Sequence, residues 1–161
     1  LESVGLQNDA DKKVSDYSKG MKSRLNFIKA LINDPDILFL DEPTSGLDPT
    51  NSRMMKDLIL LEKNKGKIII LTTHNMEEAD ELCHRIAFLN HGHVIECGKP
   101  EDLKLKYSKQ TIELTTQDGK RTIPLNKEKL ISELKDIDEL LMIHSIEPSL
   151  KEVFLFLTEG E

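Results

Sequence analysis

Nothing in the sequence reads as a membrane span. Its longest apolar stretches run only a few residues, against the roughly 20 that a transmembrane helix needs. No basic-then-apolar leader stands at the start, so nothing suggests secretion. Cysteine is scarce. Cys83 and Cys97 are too few for a disulfide framework, and a reduced cytosolic setting is the simplest reading. Basic charge is also in short supply. A net charge of −7 argues against a nucleic-acid binder, which would normally carry a basic face. No internal repeat or low-complexity stretch is visible. What is present suits a globular chain: 38% hydrophobic and 32% charged residues over 161 positions. That length allows one ordinary domain, or one core with a small appendage.

The run Ile37-Leu38-Phe39-Leu40-Asp41-Glu42-Pro43-Thr44-Ser45-Gly46-Leu47-Asp48-Pro49 organises the rest. Its bulky apolar residues, flanked by Pro35 and Pro43, predict a buried strand of a parallel sheet. The strand stops abruptly in two carboxylates, and in open parallel sheets ligands gather just beyond the carboxyl ends of the strands. Two acids at such a place are costly to desolvate unless a cation or a proton-transfer task holds them there. A hydrophobic strand ending in Asp is also how P-loop nucleotide hydrolases hold Mg²⁺, in the Walker B element.

Residues 1–16 read as a short helix and a polar loop. After Tyr17-Ser18-Lys19-Gly20-Met21, the apolar residues Leu25, Phe27, Ile28, Leu31 and Ile32 mark one face of a helix that ends near Asn33-Asp34-Pro35. Ser18 and Gly20 thus fall at a helix N-terminus, where free N–H groups and the dipole favour an anion. Ser18 capping its own helix is the plainer alternative. Pro49 starts a helix to about Lys63, with Met54, Leu58 and Leu61 inward, closed by Gly66. A second strand, Lys67 to Thr73, holds the buried run Ile68-Ile69-Ile70-Leu71 and ends in Thr72-Thr73-His74. A helix from Met76 to His84 carries Glu77, Glu78, Asp80 and Glu81 early, as its dipole prefers. Next come a hairpin, Ile86–Leu89 and His93–Glu96, and a short helix from Pro100. From about Tyr107 to Gln110 the character changes. A second hairpin turns at Gln117-Asp118-Gly119, followed by a helix from Lys127, a strand near Leu140 to Ile146 and a helix from Leu150.

Three pieces stand in order: an anion-binding helix start, a strand ending in Asp-Glu, and a strand ending in His. Together they resemble the ATP-binding subunit of ABC transporters. Tyr17 to Met21 is similar to the family signature, usually Leu-Ser-Gly-Gly-Gln, and departs from it at Lys19 and Met21. Ile37 to Glu42 resembles Walker B with its catalytic glutamate, Ser45-Gly46-Leu47-Asp48 the D-loop, and His74 the switch histidine. The Tyr-Ser-x-Gly-Met form, and the ending Glu147-Pro148-Ser149-Leu150-Lys151-Glu152-Val153-Phe154-Leu155, are similar to the drug, antibiotic and sodium exporter branch.

The resemblance implies an α/β fold: the C-terminal part of a P-loop (RecA-like) ABC ATPase core with part of its helical subdomain over residues 1–107. A small α+β accessory domain over 108–161 would follow. It implies ATP and Mg²⁺ as cofactors, with Asp41 holding the metal through water, Glu42 orienting the attacking water and His74 touching the γ-phosphate. Ser18 and the Gly20 amide would bind the γ-phosphate of a second, head-to-tail ATPase subunit, and Asp48 would couple the two sites. A membrane permease would be the other partner, placing the subunit on the cytoplasmic face of the membrane. The phosphate-cradling pattern G-x-x-x-x-G-K-[ST] is missing. Gly92 to Gly98-Lys99 has one residue too many and runs into Pro100. The chain therefore reads as the C-terminal part of a longer subunit, inactive alone. The competing readings are a non-transport ABC ATPase, disfavoured by Ser45-Gly46 and the short chain, and a stand-alone regulatory or dimerising module. Cys83-His84 with His91, His93 and Cys97 fits no zinc spacing.

Overall fold

A computed structural model describes residues 1–135, 137 and 139–159, so the last two positions of the 108–161 segment lie outside it. The chain divides into two compact units, Leu1–Leu82 and Cys83–Glu161.

The first unit opens with three short 3₁₀ turns, Glu2–Val4, Gln7–Asp9 and Val14–Asp16, where the sequence predicted a short helix and a polar loop. Gly5, at φ 64, stops the first turn in the left-handed region. Val4, Leu6 and Tyr17 are buried beneath α1 (Lys19–Leu31), packed with Met21, Leu25 and Ile28. The Arg24 guanidinium donates to the Val4 carbonyl at 2.9 Å, and the Tyr17 hydroxyl donates to the Asp9 carbonyl at 2.8 Å. Those two bonds pin a segment that has no regular ladder of its own.

Strand β1 (Ile37–Asp41) pairs in parallel with β2 (Ile68–Thr72), and the register sets Asp41 beside Thr72. The helix between them, α2 (Pro49–Asn64), starts on Pro49 with Asp48 as its cap. Its buried face is Met55, Ile59 and Glu62, while Met54 and Leu61 are exposed. The inward stripe thus lies one residue further along than the sequence suggested. Doubled Met54-Met55 and the run Leu58-Ile59-Leu60-Leu61 satisfy a helical period in either register, and packing decides. Helix α3 (Met76–Leu82) follows β2 and stops two residues short of His84.

Both strands were expected to be buried, and they are only partly so. Leu38 is 3% exposed, but Phe39 is 75% exposed, and Ile37, Ile68 and Ile70 are open too. The described sheet has two strands, too few to bury the side chains of a parallel pair on both faces.

In the second unit β3 (Ile86–Asn90) and β4 (His93–Gly98) form the first hairpin, followed by α4 (Pro100–Lys106). Strands β5 (Thr111–Thr116) and β6 (Gly119–Pro124) form the second. Strand β7 (Leu140–Ile146) joins β5 on its other side, giving the antiparallel order β6-β5-β7. Ile112, Leu114 and Ile123 point to one face and are covered by Leu130 of α5 (Lys127–Lys135) and by Ile137. Each such burial contributes about 1.5–3 kcal/mol. Helix α6 (Leu150–Thr158) begins in a capping box between Ser149 and Glu152. It packs back on the earlier elements, with the Phe154 ring 5.6 Å from Phe88 and Phe156 5.7 Å from Tyr107.

Candidate functional site

Parallel register brings the polar ends of β1 and β2 together. The Thr72 hydroxyl donates to the Asp41 carboxylate, and the Glu42 N–H donates to the Thr72 carbonyl at 3.0 Å. The backbone then turns at Glu42, which sits at φ 45. A non-glycine residue there is strained by about 1–3 kcal/mol. The turn directs the Glu42 carboxylate to His74, the second residue past β2. His74 donates to Glu42 Oε1 from its backbone N–H at 2.9 Å, and its ring Nδ1 lies 2.7 Å from the same oxygen.

With a carboxylate as partner, Nδ1 carries the proton, which leaves Nε2 free on a ring that is 80% exposed. The arrangement presents one carboxylate with an unused oxygen and one imidazole nitrogen at the mouth of a strand pair. Such a pair can accept a proton from water and contact an anion. Asp41 and Thr72 add two hard oxygen donors, the kind Mg²⁺ accepts alongside retained water.

Ser18 and Gly20 lie on a second cluster. The Ser18 hydroxyl oxygen accepts from the Met21 N–H at 3.2 Å and so caps α1. The capping role is therefore real, and the Lys19 and Gly20 N–H groups, in the first turn of α1, have no intrahelical acceptor. Gly20 is buried against the Asn51 side chain. Asn51 in turn donates to both Asp48 carboxylate oxygens, from its backbone N–H at 3.0 Å and from its side-chain amide. These bonds hold the Asp48 carboxyl below the usual carboxylate range. Asn51, which sequence reasoning passed over, thus joins the Gly20 helix start to Asp48. Lys19 reaches toward Gly46, whose missing Cβ leaves room for the ammonium.

A third feature was also missed. Glu78 of α3 is fully buried and accepts from the Thr44 and Thr73 hydroxyls. Among the acids of α3 it looked like another partner for the helix dipole. Its partners Thr44 and Thr73 both lie outside the helix, so helical spacing gave no signal for it.

The two parallel strands thus set Asp41, Glu42, Thr72 and His74 side by side at their carboxyl ends, where ligands of open α/β sheets gather. The family model described as "AAA domain, putative AbiEii toxin, Type IV TA system" matches residues 4–80. The fluoroquinolones export ATP-binding protein of Mycobacterium tuberculosis is 42% identical over 167 residues, covering 98% of this chain and 55% of its own length. The Nod factor export ATP-binding protein I of Rhizobium meliloti is 50% identical over 103 residues, covering 64% of this chain and 31% of its own. Among solved structures, a dimeric ATP-binding cassette in a post-hydrolysis state bound to ADP and Pi matches with TM-score 0.54 and 29% identity, over 62% of this chain and 44% of its own. The cbiO1 protein of Clostridium perfringens, part of the ABC transporter complex cbiONQ, matches with TM-score 0.57 and 32% identity, over 64% of this chain and 41% of its own.

The chain is a homologue of the ATP-binding subunits of ABC exporters, and its fold is part of a P-loop ABC ATPase. It spans about half the length of the M. tuberculosis relative and about a third of the Nod factor protein. Among the described residues no helix is long and apolar enough to cross a membrane.

Proposed function

We propose that this chain carries the hydrolytic half of an ATP-binding subunit that powers an ABC-type exporter through a separate membrane permease. The observation that carries the reading is the Glu42–His74 pair, held at 2.7 Å at the adjoining ends of two parallel strands. In this reading Glu42 polarises the attacking water with its second carboxylate oxygen. His74, oriented through Nδ1, offers Nε2 to the γ-phosphate. When bound, Mg²⁺ neutralises charge on the β- and γ-phosphates. Asp41, with Thr72 beside it, holds that ion through water. Positioning and charge neutralisation are the main demands of phosphoryl transfer.

Ser18 and the Gly20 amide face the γ-phosphate of a second subunit arranged head to tail, and Asp48 couples the two sites through Asn51. The dimeric relative bound to ADP and Pi supports that arrangement. The cargo class, a drug, an antibiotic or an ion, is suggested by the export names of the relatives and by the signature and tail residues. Residues 1–107 form the ATPase part and 108–161 the accessory part, and the subunit sits on the cytoplasmic face of the membrane.

The test is steady-state ATP hydrolysis by the full-length subunit. Glu42→Gln is expected to lower turnover by about 10²–10⁴-fold while ATP-dependent pairing of subunits persists. Turnover near that of the unaltered subunit would remove Glu42 from its role.

A further inference from the structure

We propose that Glu78 is a positioning residue that holds Glu42 and His74 in register, an inference that rests on the hydrolytic reading of that pair. Glu78 has 0% exposure. A carboxylate so placed is unfavourable unless both oxygens are satisfied. Here each oxygen takes one hydroxyl: Thr44 Oγ1 donates to Oε1 at 2.9 Å and Thr73 Oγ1 donates to Oε2 at 2.6 Å. Thr44 is two residues after Glu42, and Thr73 is the residue before His74. One buried side chain therefore ties together the two loops that carry the reactive pair.

The helix dipole alone does not account for this arrangement. Exposed Glu77 in the same first turn meets that preference without any loss of solvation. The loop after β1 also needs an anchor. Glu42 is strained at φ 45, and its turn is closed by the Ser45 N–H donating to its carbonyl at 3.1 Å. Thr44, itself buried, lies within that turn and its side chain is fixed from outside the loop. On the other side, the Thr73 hydroxyl also accepts from the Asn75 N–H at 3.1 Å, while Asn75 Oδ1 accepts from the Glu78 N–H at 3.2 Å. The start of α3 is thereby built into the same network. If the Glu78 carboxylate is removed, Thr44 and Thr73 lose their shared partner, and the Glu42–His74 contact itself is left to join the two loops through side chains.

The experiment uses the full-length subunit and reads two quantities: hydrogen exchange of the His74 amide, and kcat separately from KM for ATP. Glu78→Ala and Thr44→Val are each expected to speed His74 amide exchange about tenfold. They should lower kcat by about 10- to 100-fold with KM changed by less than about threefold. Glu78→Gln is expected to restore most of both, because its amide oxygen still accepts one hydroxyl while its NH₂ donates to the other. Thr44→Val keeps the proposal testable if Glu78→Ala does not fold. His74 exchange unchanged in the folded variants overturns the proposal. So does equal acceleration at Ile59 in α2, which would mean general loosening. If the unaltered subunit hydrolyses no ATP, the hydrolytic reading fails, and the exchange measurement still decides whether Glu78 holds the two loops.

Discussion

A Cβ on Gly20 would lie 2.5 Å from Cγ of Asn51, nearer than two carbon atoms in different residues can stand. The glycine of the α1 start is thus fixed by what faces it, the first turn of α2, and not by its own backbone, which is helical. Asn51 cannot easily swing away, because both its amide groups are bound to Asp48. The two helix starts are in effect one joint.

Gly20→Ala tests that joint by a change of sign. In a free helix the added methyl would stabilise by up to about 1 kcal/mol. Against Asn51 the overlap should outweigh this gain and destabilise by about 1–3 kcal/mol. In an Asn51→Ala background the same substitution should become neutral or stabilising. Urea denaturation of the four proteins in a double-mutant cycle measures the coupling. Additive effects would contradict the close approach.

The 161-residue chain by itself is expected to bind no ATP at micromolar concentrations, because its sequence contains no phosphate-cradling G-x-x-x-x-G-K-[ST] pattern. Titration calorimetry with Mg²⁺ and ATP provides the check. Saturable heat in the micromolar range would show that the strand ends and the α1 start suffice for a nucleotide.

Acid should weaken the second unit through Glu96. Bonds from Lys106, the Tyr107 hydroxyl and the Cys97 N–H lower its pKa to about 2. A group whose folded pKa is depressed adds stability above its unfolded value of about 4.5, and that contribution disappears as pH falls through the folded value. The loss therefore falls between about pH 4.5 and 2. Lys106, raised by Glu96, behaves in the opposite sense and gives up its contribution only in strong alkali. Thermal denaturation of Glu96→Gln should show a flatter pH dependence across the acid window. An unchanged slope would place the acid sensitivity elsewhere.

Asp41, Glu42 and His74 could be located from sequence because a short apolar strand ends where its chemistry begins, and parallel pairing leaves little freedom in how two such ends meet. The helix starts at Ser18 and Asp48 were legible for a similar reason, since caps and prolines act within one turn. The connections between these points were not legible. Asn51 and Glu78 matter through partners distant in sequence, Gly20 and Thr44, and a local pattern offered each an adequate ordinary role. The register of α2 failed because two adjacent apolar stripes compete on it, and only the neighbouring surface selects Met55 and Ile59. The return of Phe154 and Phe156 to Phe88 and Tyr107 was likewise a tertiary choice, invisible to periodicity.

The left-handed backbone at Glu42 carries an evolutionary consequence. Glycine or asparagine would adopt that conformation more readily, so the most stable sequence at this position is not the one present. On the role proposed for Glu42, a lineage released from the need to hydrolyse ATP, or a laboratory screen that rewards heat tolerance alone, should replace it early. Retention of glutamate there would then serve as a record that the turnover of nucleotide is still under selection.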